Sequence, residues 1–219
     1  MSKSDQEPVD ALLLISTHCP HCATVLKGAT ELLKEGGIGH LQIYNLDLHP
    51  EIAQEHGVRS VPWIRIGPFE LSGTQSKTEL EGWVQRVADP KGMPAYFAEL
   101  MAEWGVQKVV SMVRKTPSLF SALMTLLGDP ETELGVRVGI GVVVEEFQGT
   151  ETLKSQLTSL VELTQHEDSR VRGDACYYLG FTGEQEVTTV LTTCLEDENV
   201  DVRESAADAL EMLRGDESL

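Results

Sequence analysis

The motif Cys-Pro-His-Cys at residues 19–22 lies at the junction of two patterns that predict secondary structure. The continuously apolar run 11–15 before it predicts a buried strand, and residues 23–34 after it follow a helical pattern. Two cysteines this close together, where a strand leads into a helix, indicate a redox centre. The unpaired N–H groups and the dipole at a helix N-terminus stabilise a thiolate. Cys19 is therefore the predicted nucleophile, and Cys22 is the predicted resolving thiol.

A second motif, Gly-Val-Arg-Ser-Val-Pro-Trp, follows at residues 57–63. A proline in a strand-like segment argues against a central position and fits a strand that begins at Pro62. Together the two motifs resemble those of the thioredoxin superfamily. Residues 73–84 look like the closing strand-to-helix turn of thioredoxins, so that the resemblance covers roughly residues 9–88.

The resemblance implies roles for residues around the proline. It implies a cis peptide bond between Val61 and Pro62, with Pro62 packed beside the two cysteines. The backbone of Val61 would then pair with an extended peptide substrate. Trp63 is either a core aromatic or an apolar contact beside the site, and Gly73 completes the predicted substrate-binding set.

The residues between the cysteines and inside the first strand refine the expected chemistry. Pro20 and His21 are similar to the insert of strongly oxidising bacterial periplasmic members of the superfamily, and both are placed in the catalytic set. Thioredoxins bury an acid in the first strand at the position that Leu13 occupies here. His18 is predicted either to assist proton transfer or to be an exposed spectator.

The order of predicted elements in the first 89 residues is βαβαββα. It predicts an α/β domain of glutaredoxin size, with a four-stranded mixed sheet and helices on both faces. Residues 90–94, with two prolines and a glycine, are a predicted linker. The predicted strands are 11–16, 40–46, 62–66 and 69–71, and the predicted helices are 22–35, 50–56 and 77–87.

Residues 95–219 are predicted to be an all-α solenoid. Val-Arg recurs within 134–137, 169–172 and 200–203, each time after an acidic turn. From about residue 117 to 214 these units resemble short HEAT-type repeats. The helices expected between residues 94 and 115 would cap the array, because a repeat cannot bury its apolar face alone.

The repeated arginines are Arg137, Arg172 and Arg203. We expect them to be structural and to pair with acids and carbonyl groups between repeats. Asp168 and Asn199 are predicted N-caps, because short polar side chains satisfy the first amides of a helix.

Other interpretations of the cysteines remain open at this stage. His18 and His21 beside the Cys pair could form half of a zinc site. A structural disulfide is less favoured, because the loop that it closes is very short. Cys176 and Cys194 are expected to be isolated, small core residues. No cofactor and no metal is predicted.

The formal net charge of the chain is −18 and is unevenly distributed. Residues 1–93 carry 8 Lys/Arg and 12 Asp/Glu, whereas residues 94–219 carry 9 and 23. Such a surface repels nucleic acid and anionic membranes, so neither is an expected partner. It favours a basic protein partner, although charge of this kind also serves solubility alone.

The sequence thus predicts a thiol–disulfide oxidoreductase that acts on protein disulfides or dithiols and needs a reductase or oxidase to recycle it. One alternative is a scaffold or chaperone-like binding module with incidental redox activity. Another is a dedicated electron donor to one enzyme, such as a peroxidase. Residues 1–10 are polar and acidic and carry no recognisable targeting segment, so we expect a cytoplasmic location, or a periplasmic one if a leader was omitted.

Overall fold

A four-stranded mixed sheet forms the centre of the first part of the chain. In the computed structural model, which describes residues 8–215, the order across the sheet is β2-β1-β3-β4. Strand β1 is parallel to β2 and antiparallel to β3, and β4 is antiparallel to β3. The predicted α/β class is confirmed. The strands are β1 Val9–Ile15, β2 Ile38–Asn45, β3 Trp63–Ile66 and β4 Phe69–Ser72.

Helices cover both faces of this sheet. They are α1 (Cys22–Lys34), α2 (Pro50–His56) and α3 (Lys77–Val87). Because side chains alternate along a strand, Leu13 of β1 packs in the cluster with α1 and α3. Its neighbours Leu12 and Leu14 pack on the other face, in the cluster that includes Ile52 of α2.

The segment predicted as a linker overlaps the start of a helix. Helix α4 begins at Gly92, so the last three residues of the segment 90–94 are helical. A proline is tolerated in the first turn of a helix because the N–H that it lacks would have no helical partner there. Pro94 therefore lies in the first turn of a helix and not in a loop. The chain divides into two compact units between Met93 and Pro94.

All the regular elements described in the second unit are helices, as predicted. Two helices precede the repeats, in the place expected for a cap. The α-helices of this part are α4 Gly92–Ala102, α5 Val106–Lys115, α6 Ser121–Leu127, α7 Leu134–Glu146, α8 Glu151–Lys154, α9 Leu157–Leu163, α10 Ser169–Gly180, α11 Thr188–Cys194 and α12 Val200–Gly215, with 3-10 turns at Pro117–Phe120 and Gln185–Val187. Within residues 8–215, no helix is both long and apolar enough to cross a membrane. Residues 1–7, which make up most of the segment examined for targeting, lie outside the described part.

The repeated arginines hold the turns between helices, which confirms their predicted structural role. Arg172 is the clearest case, since it is only 9% exposed. Its guanidinium donates to the carbonyl groups of His166 and Glu167, and it makes two 2.8 Å bonds to the carboxylate of Asp197 in the next acidic turn.

The other two arginines repeat this arrangement. Arg137 donates to the carbonyl groups of Leu127 and Asp129 and bonds Asp174 of α10. Arg203 donates to the carbonyl groups of Asp197 and Glu198. Each arginine therefore closes the turn before its own helix, and the first two also join neighbouring units.

The two predicted N-caps are also confirmed. The carboxylate of Asp168 accepts from the amide of Arg170 at 2.8 Å. The side-chain oxygen of Asn199 accepts from the amide of Asp201 at 2.8 Å. Glu133, at the corresponding position before α7, makes no such bond, so the first unit departs from the other two here.

We predict that Arg172→Ala lowers the free energy of unfolding by about 3 kcal/mol, because removal of one partner leaves a largely buried charge unpaired. Urea denaturation measures the change. Arg114→Ala is the control. Arg114 lies 2.6 Å from Glu146, but the two side chains are 59% and 40% exposed, and such a pair contributes less than about 1 kcal/mol. Equal losses in the two variants would contradict the prediction.

This contribution should depend on pH. The side-chain hydrogen bond from Arg172 lowers the pKa of Asp197 below its ordinary value of 3.8. A carboxylate whose pKa is lower in the folded than in the unfolded state stabilises the fold when the pH is above its unfolded-state pKa. This stabilisation is lost as the pH falls through its folded-state pKa. The difference in stability between the wild type and Arg172→Ala should therefore shrink on acidification below about pH 4.

Candidate active site

The register of the sheet brings three separate segments of the chain to one edge. Strand β1 ends at Ile15, just before the Cys-containing turn. In the antiparallel pair, Trp63 lies opposite Leu14, so the residues before Trp63 lie at the edge where β1 ends. Ser72 lies opposite Trp63 in turn, which brings the start of the closing turn to the same place.

Cys19 and Cys22 are joined by a disulfide, with their Cα atoms 5.5 Å apart. Cys22 is the first residue of α1 and is only 4% exposed. Cys19 lies in the turn before the helix and is partly exposed. The two sulfurs therefore differ in access, and an approaching thiol would meet Cys19 first.

The predicted substrate edge lies beside Cys19. The Val61–Pro62 peptide bond is cis, as the sequence predicted. The Cys19 sulfur lies 3.7 Å from the carbonyl oxygen of Val61. The amide of Gly73 donates to the carbonyl of Pro62 at 2.9 Å, and Gly73 has φ = +87°, a conformation that favours glycine.

The remaining predicted site residues are divided between surface and core. Pro20, His21 and His18 are exposed on the turn that carries Cys19. Trp63 is 4% exposed and packs with Leu12 and Leu14, so its contacts are those of a core aromatic.

The interior near the site contains an apolar residue where thioredoxins bury an acid. Leu13 is fully buried and belongs to the cluster that includes Val25 of α1. The side chain at this position cannot accept a proton from Cys22.

Sequence reasoning missed the residues that hold the active-site turn. The carboxylate of Asp47 accepts from the amide of Thr17 at 2.8 Å. Asn45 donates to the hydroxyl of Thr17 at 3.0 Å and accepts from the amide of Asp47 at 3.0 Å. The hydrogen bonds from Thr17 lower the pKa of Asp47, and the nearby His18 adds to this effect.

A sequence signal for this anchor exists. Asn45 and Asp47 follow β2, which is parallel to β1, and the carboxyl ends of adjacent parallel strands lie at the same edge. Polar residues directly after the second strand are therefore candidates to contact the turn after the first. Among residues 8–215, no group of three or more His, Cys, Asp or Glu side chains is arranged to hold a metal ion.

Comparison with known families agrees with this geometry. Residues 11–85 match a family model described as a thioredoxin domain. Residues 122–211 match one described as HEAT repeats. No curated protein is significantly similar to the chain. The two matches confirm both resemblances drawn from the sequence.

We predict that Asp47→Ala speeds hydrogen exchange at the Thr17 amide by about fivefold, the factor expected for one hydrogen bond of ordinary net strength. Exchange measured by NMR tests this. Glu79→Ala is a matched control, because the equally exposed Glu79 accepts from the Ser76 amide at 2.7 Å in the capping box of α3. It should change exchange at Ser76 only. An unchanged Thr17 amide in Asp47→Ala would show that this carboxylate does not hold the turn.

Proposed function

We propose that this chain, in which a thioredoxin domain precedes HEAT repeats, is a thiol–disulfide oxidoreductase that acts on proteins through Cys19 and Cys22. The observation that carries the proposal is the unequal access of the two sulfurs, of which the more exposed one lies beside a backbone carbonyl. Cys19 is partly exposed and lies against the Val61 carbonyl, whereas Cys22 is buried behind it.

The exchange runs through a mixed disulfide. A substrate thiolate attacks the Cys19 sulfur, the Cys19–Cys22 bond breaks, and Cys22 leaves as a thiolate. A second substrate thiolate then attacks the substrate sulfur of the mixed disulfide and releases Cys19 as a thiolate. Two electrons pass from the substrate to the active site, and the substrate gains a disulfide. The reverse sequence, with Cys19 as attacking thiolate and Cys22 resolving, reduces a substrate disulfide.

The features around Cys19 support an extended peptide as substrate. The Val61 carbonyl lies at the sheet edge beside the reacting sulfur, where a peptide N–H can bond to it. The exposed Pro20 and His21 lie on the same turn as Cys19. The resemblance of the Pro20-His21 insert to oxidising members of the superfamily predicts that the disulfide form is the working oxidant. A separate oxidase or reductase then restores the starting state after each turnover.

The repeat domain is proposed to dock a protein partner on the exposed side of α7. Leu134, Val138 and Val142 are spaced four residues apart and therefore lie on one face of this helix. They are 78%, 60% and 37% exposed. Leu134 and Val138 line a cavity of about 370 Å³ together with Tyr177 and Tyr178 of α10.

The charge on the neighbouring helices indicates which kind of protein segment would bind to the apolar side of α7. Helix α12 packs closely on α10. If Gly180 of α10 carried a side chain, its Cβ would lie only 2.9 Å from the Cα of Ala209 in α12. The exposed face of α12 carries a row of carboxylates at helical spacing, namely Asp201, Glu204, Asp208 and Glu211. An apolar stripe followed by an acidic helix is complementary to an amphipathic helix with apolar and basic faces. This is the partner chemistry that we propose.

The same stripe also supports a second candidate function. Exposed apolar side chains in a row are typical of interaction sites. They favour a chaperone-like or scaffold role in which thiol–disulfide exchange at Cys19 is secondary. They also fit an electron donor that serves a single partner enzyme. The substrates trapped on Cys19 distinguish these functions from general exchange.

We predict that Cys22→Ala retains protein substrates as mixed disulfides on Cys19, because the resolving thiol is gone. Cys19→Ala is the matched control and should retain none, since the remaining Cys22 is buried. Non-reducing electrophoresis and mass spectrometry of purified adducts measure the difference. Exchange on a small disulfide should fall to the background rate in Cys19→Ala. Equal trapping by both variants would refute the assignment of roles.

We predict that Val138→Asp weakens binding of a designed helical peptide with one leucine face and one lysine face by about tenfold, since burial of a Val or Leu side chain is worth about 1.5–3 kcal/mol. Fluorescence anisotropy measures the affinity. Leu48→Asp is the control, because Leu48 is also exposed, at 74%, but lies outside the repeats. The affinity should also fall with added salt. Equal binding of a peptide with glutamate in place of lysine would refute the charge argument.

A further inference from the structure

Two buried cysteines of the second unit lie together. Cys176 is on α10 and Cys194 is the last residue of α11, and both are free thiols. The two side chains interact with each other, and the bonds from Arg172, one turn before Cys176, to Asp197 join α10 to the turn that follows Cys194. The expectation that they are small buried residues is confirmed, but the expectation that they are isolated is wrong.

The two thiols differ in access. Cys176 is fully buried, whereas Cys194 is 8% exposed. Cys194 also lines a cavity of about 180 Å³ together with Thr164, Gln165, Val190, Thr193 and Asp197. This volume is several times the space that one water molecule takes up in the liquid, about 30 Å³. The cavity is therefore large enough to hold a small polar molecule beside Cys194.

The surroundings also make Cys194 the more acidic thiol. The hydrogen bond with Cys176 lowers the pKa of Cys194, and the hydroxyl of Thr164 acts in the same direction. Interaction with Cys194 and burial raise the pKa of Cys176. Because the thiolate is the nucleophile in cysteine oxidation, the accessible member of the pair is also the reactive one.

From the contact between these thiols and the cavity beside Cys194, we infer that Cys176 and Cys194 form a second redox centre that a small hydroperoxide converts to a disulfide. The Cys194 thiolate attacks one oxygen of the peroxide, and the O–O bond breaks. Cys194 becomes a sulfenic acid, and the departing oxygen takes up a proton to leave as an alcohol or water. Cys176 then attacks the Cys194 sulfur and loses its proton, and water leaves as the disulfide forms. Two thiols supply the two electrons that reduce one peroxide.

The disulfide would join α10 to α11. These helices belong to successive units of the array, and the ion pair of Arg172 with Asp197 already holds α10 to the turn that follows α11. A covalent bond between them would restrict separation of the last two units, since neighbouring contacts are what stabilise a repeat array. The bond is reversible by a thiol reductant.

The test uses the full chain with Cys19→Ser and Cys22→Ser, so that its outcome does not depend on exchange at Cys19. The protein is treated with hydrogen peroxide, unfolded, alkylated and digested with trypsin. The tryptic peptide 173–203 contains both remaining cysteines and has no Lys or Arg before its last residue. We expect it to become lighter by two hydrogens and to lose both alkylation sites, and dithiothreitol should restore them.

Single substitutions test the order of the steps. In the same background, Cys176→Ser should leave a Cys194 sulfenic acid that dimedone labels, whereas Cys194→Ser should leave Cys176 unlabelled. Circular dichroism checks that each variant is folded, and the result for the unsubstituted pair does not depend on either variant. Two alkylatable thiols after peroxide treatment, or oxidation of Cys194 to sulfinic acid without a disulfide, would overturn the inference. Labelling of Cys176 in folded Cys194→Ser would overturn the proposed order.

Discussion

The antiparallel pairing of β1 with β3 is the interaction on which the candidate active site depends. With Leu14 opposite Trp63, the end of the first strand and the start of the third lie side by side. This register places the Val61 carbonyl 3.7 Å from the Cys19 sulfur, although the two residues are far apart in the sequence. A slip of one residue would reverse the two faces of the strand. Leu13 would then no longer pack in the cluster with α1. The register that buries the apolar core is therefore the same register that assembles the candidate site.

The second unit is organised by a different interaction. A buried guanidinium carries several donors in fixed geometry, so that one side chain can satisfy the carbonyl groups of a turn and an acid of the next unit at once. Arg172 does this with His166, Glu167 and Asp197. Such a pair adds little net stability over apolar packing, but the geometry that it demands fixes how successive units align. This explains why Val-Arg recurs while the residues around it vary.

The sequence was sufficient where local chemistry determines structure. The bounds of α3 agree with the prediction because Ser76 and Glu79 form a capping box, and those of α2 agree because a proline begins the helix and Gly57 ends it at φ = +68°. The Cys-containing turn, the cis bond at Pro62 and the arginine contacts were also predictable, because each depends on a short motif of characteristic residue types.

Contacts that depend on tertiary structure were not predictable in the same way. The anchor from Asp47 to Thr17 joins residues 30 positions apart, and neither residue belongs to a motif. The contact between Cys176 and Cys194 depends on how two helices of successive units pack, which the repeat pattern does not specify. Trp63 could be placed in the core only once its strand was known to pair with β1, because the alternation of faces then assigns its side chain to the cluster with Leu12.

The two pairs of thiols are suited to different reaction partners because of what surrounds them. Cys19 is partly exposed and lies beside a carbonyl that could accept a peptide N–H, so we propose that a peptide segment approaches its sulfur. Cys194 is 8% exposed and lines a small cavity, whereas Cys176 has no exposed surface. The two reactions that we propose therefore differ in the size of the partner: a peptide segment at Cys19 and a small hydroperoxide at Cys194.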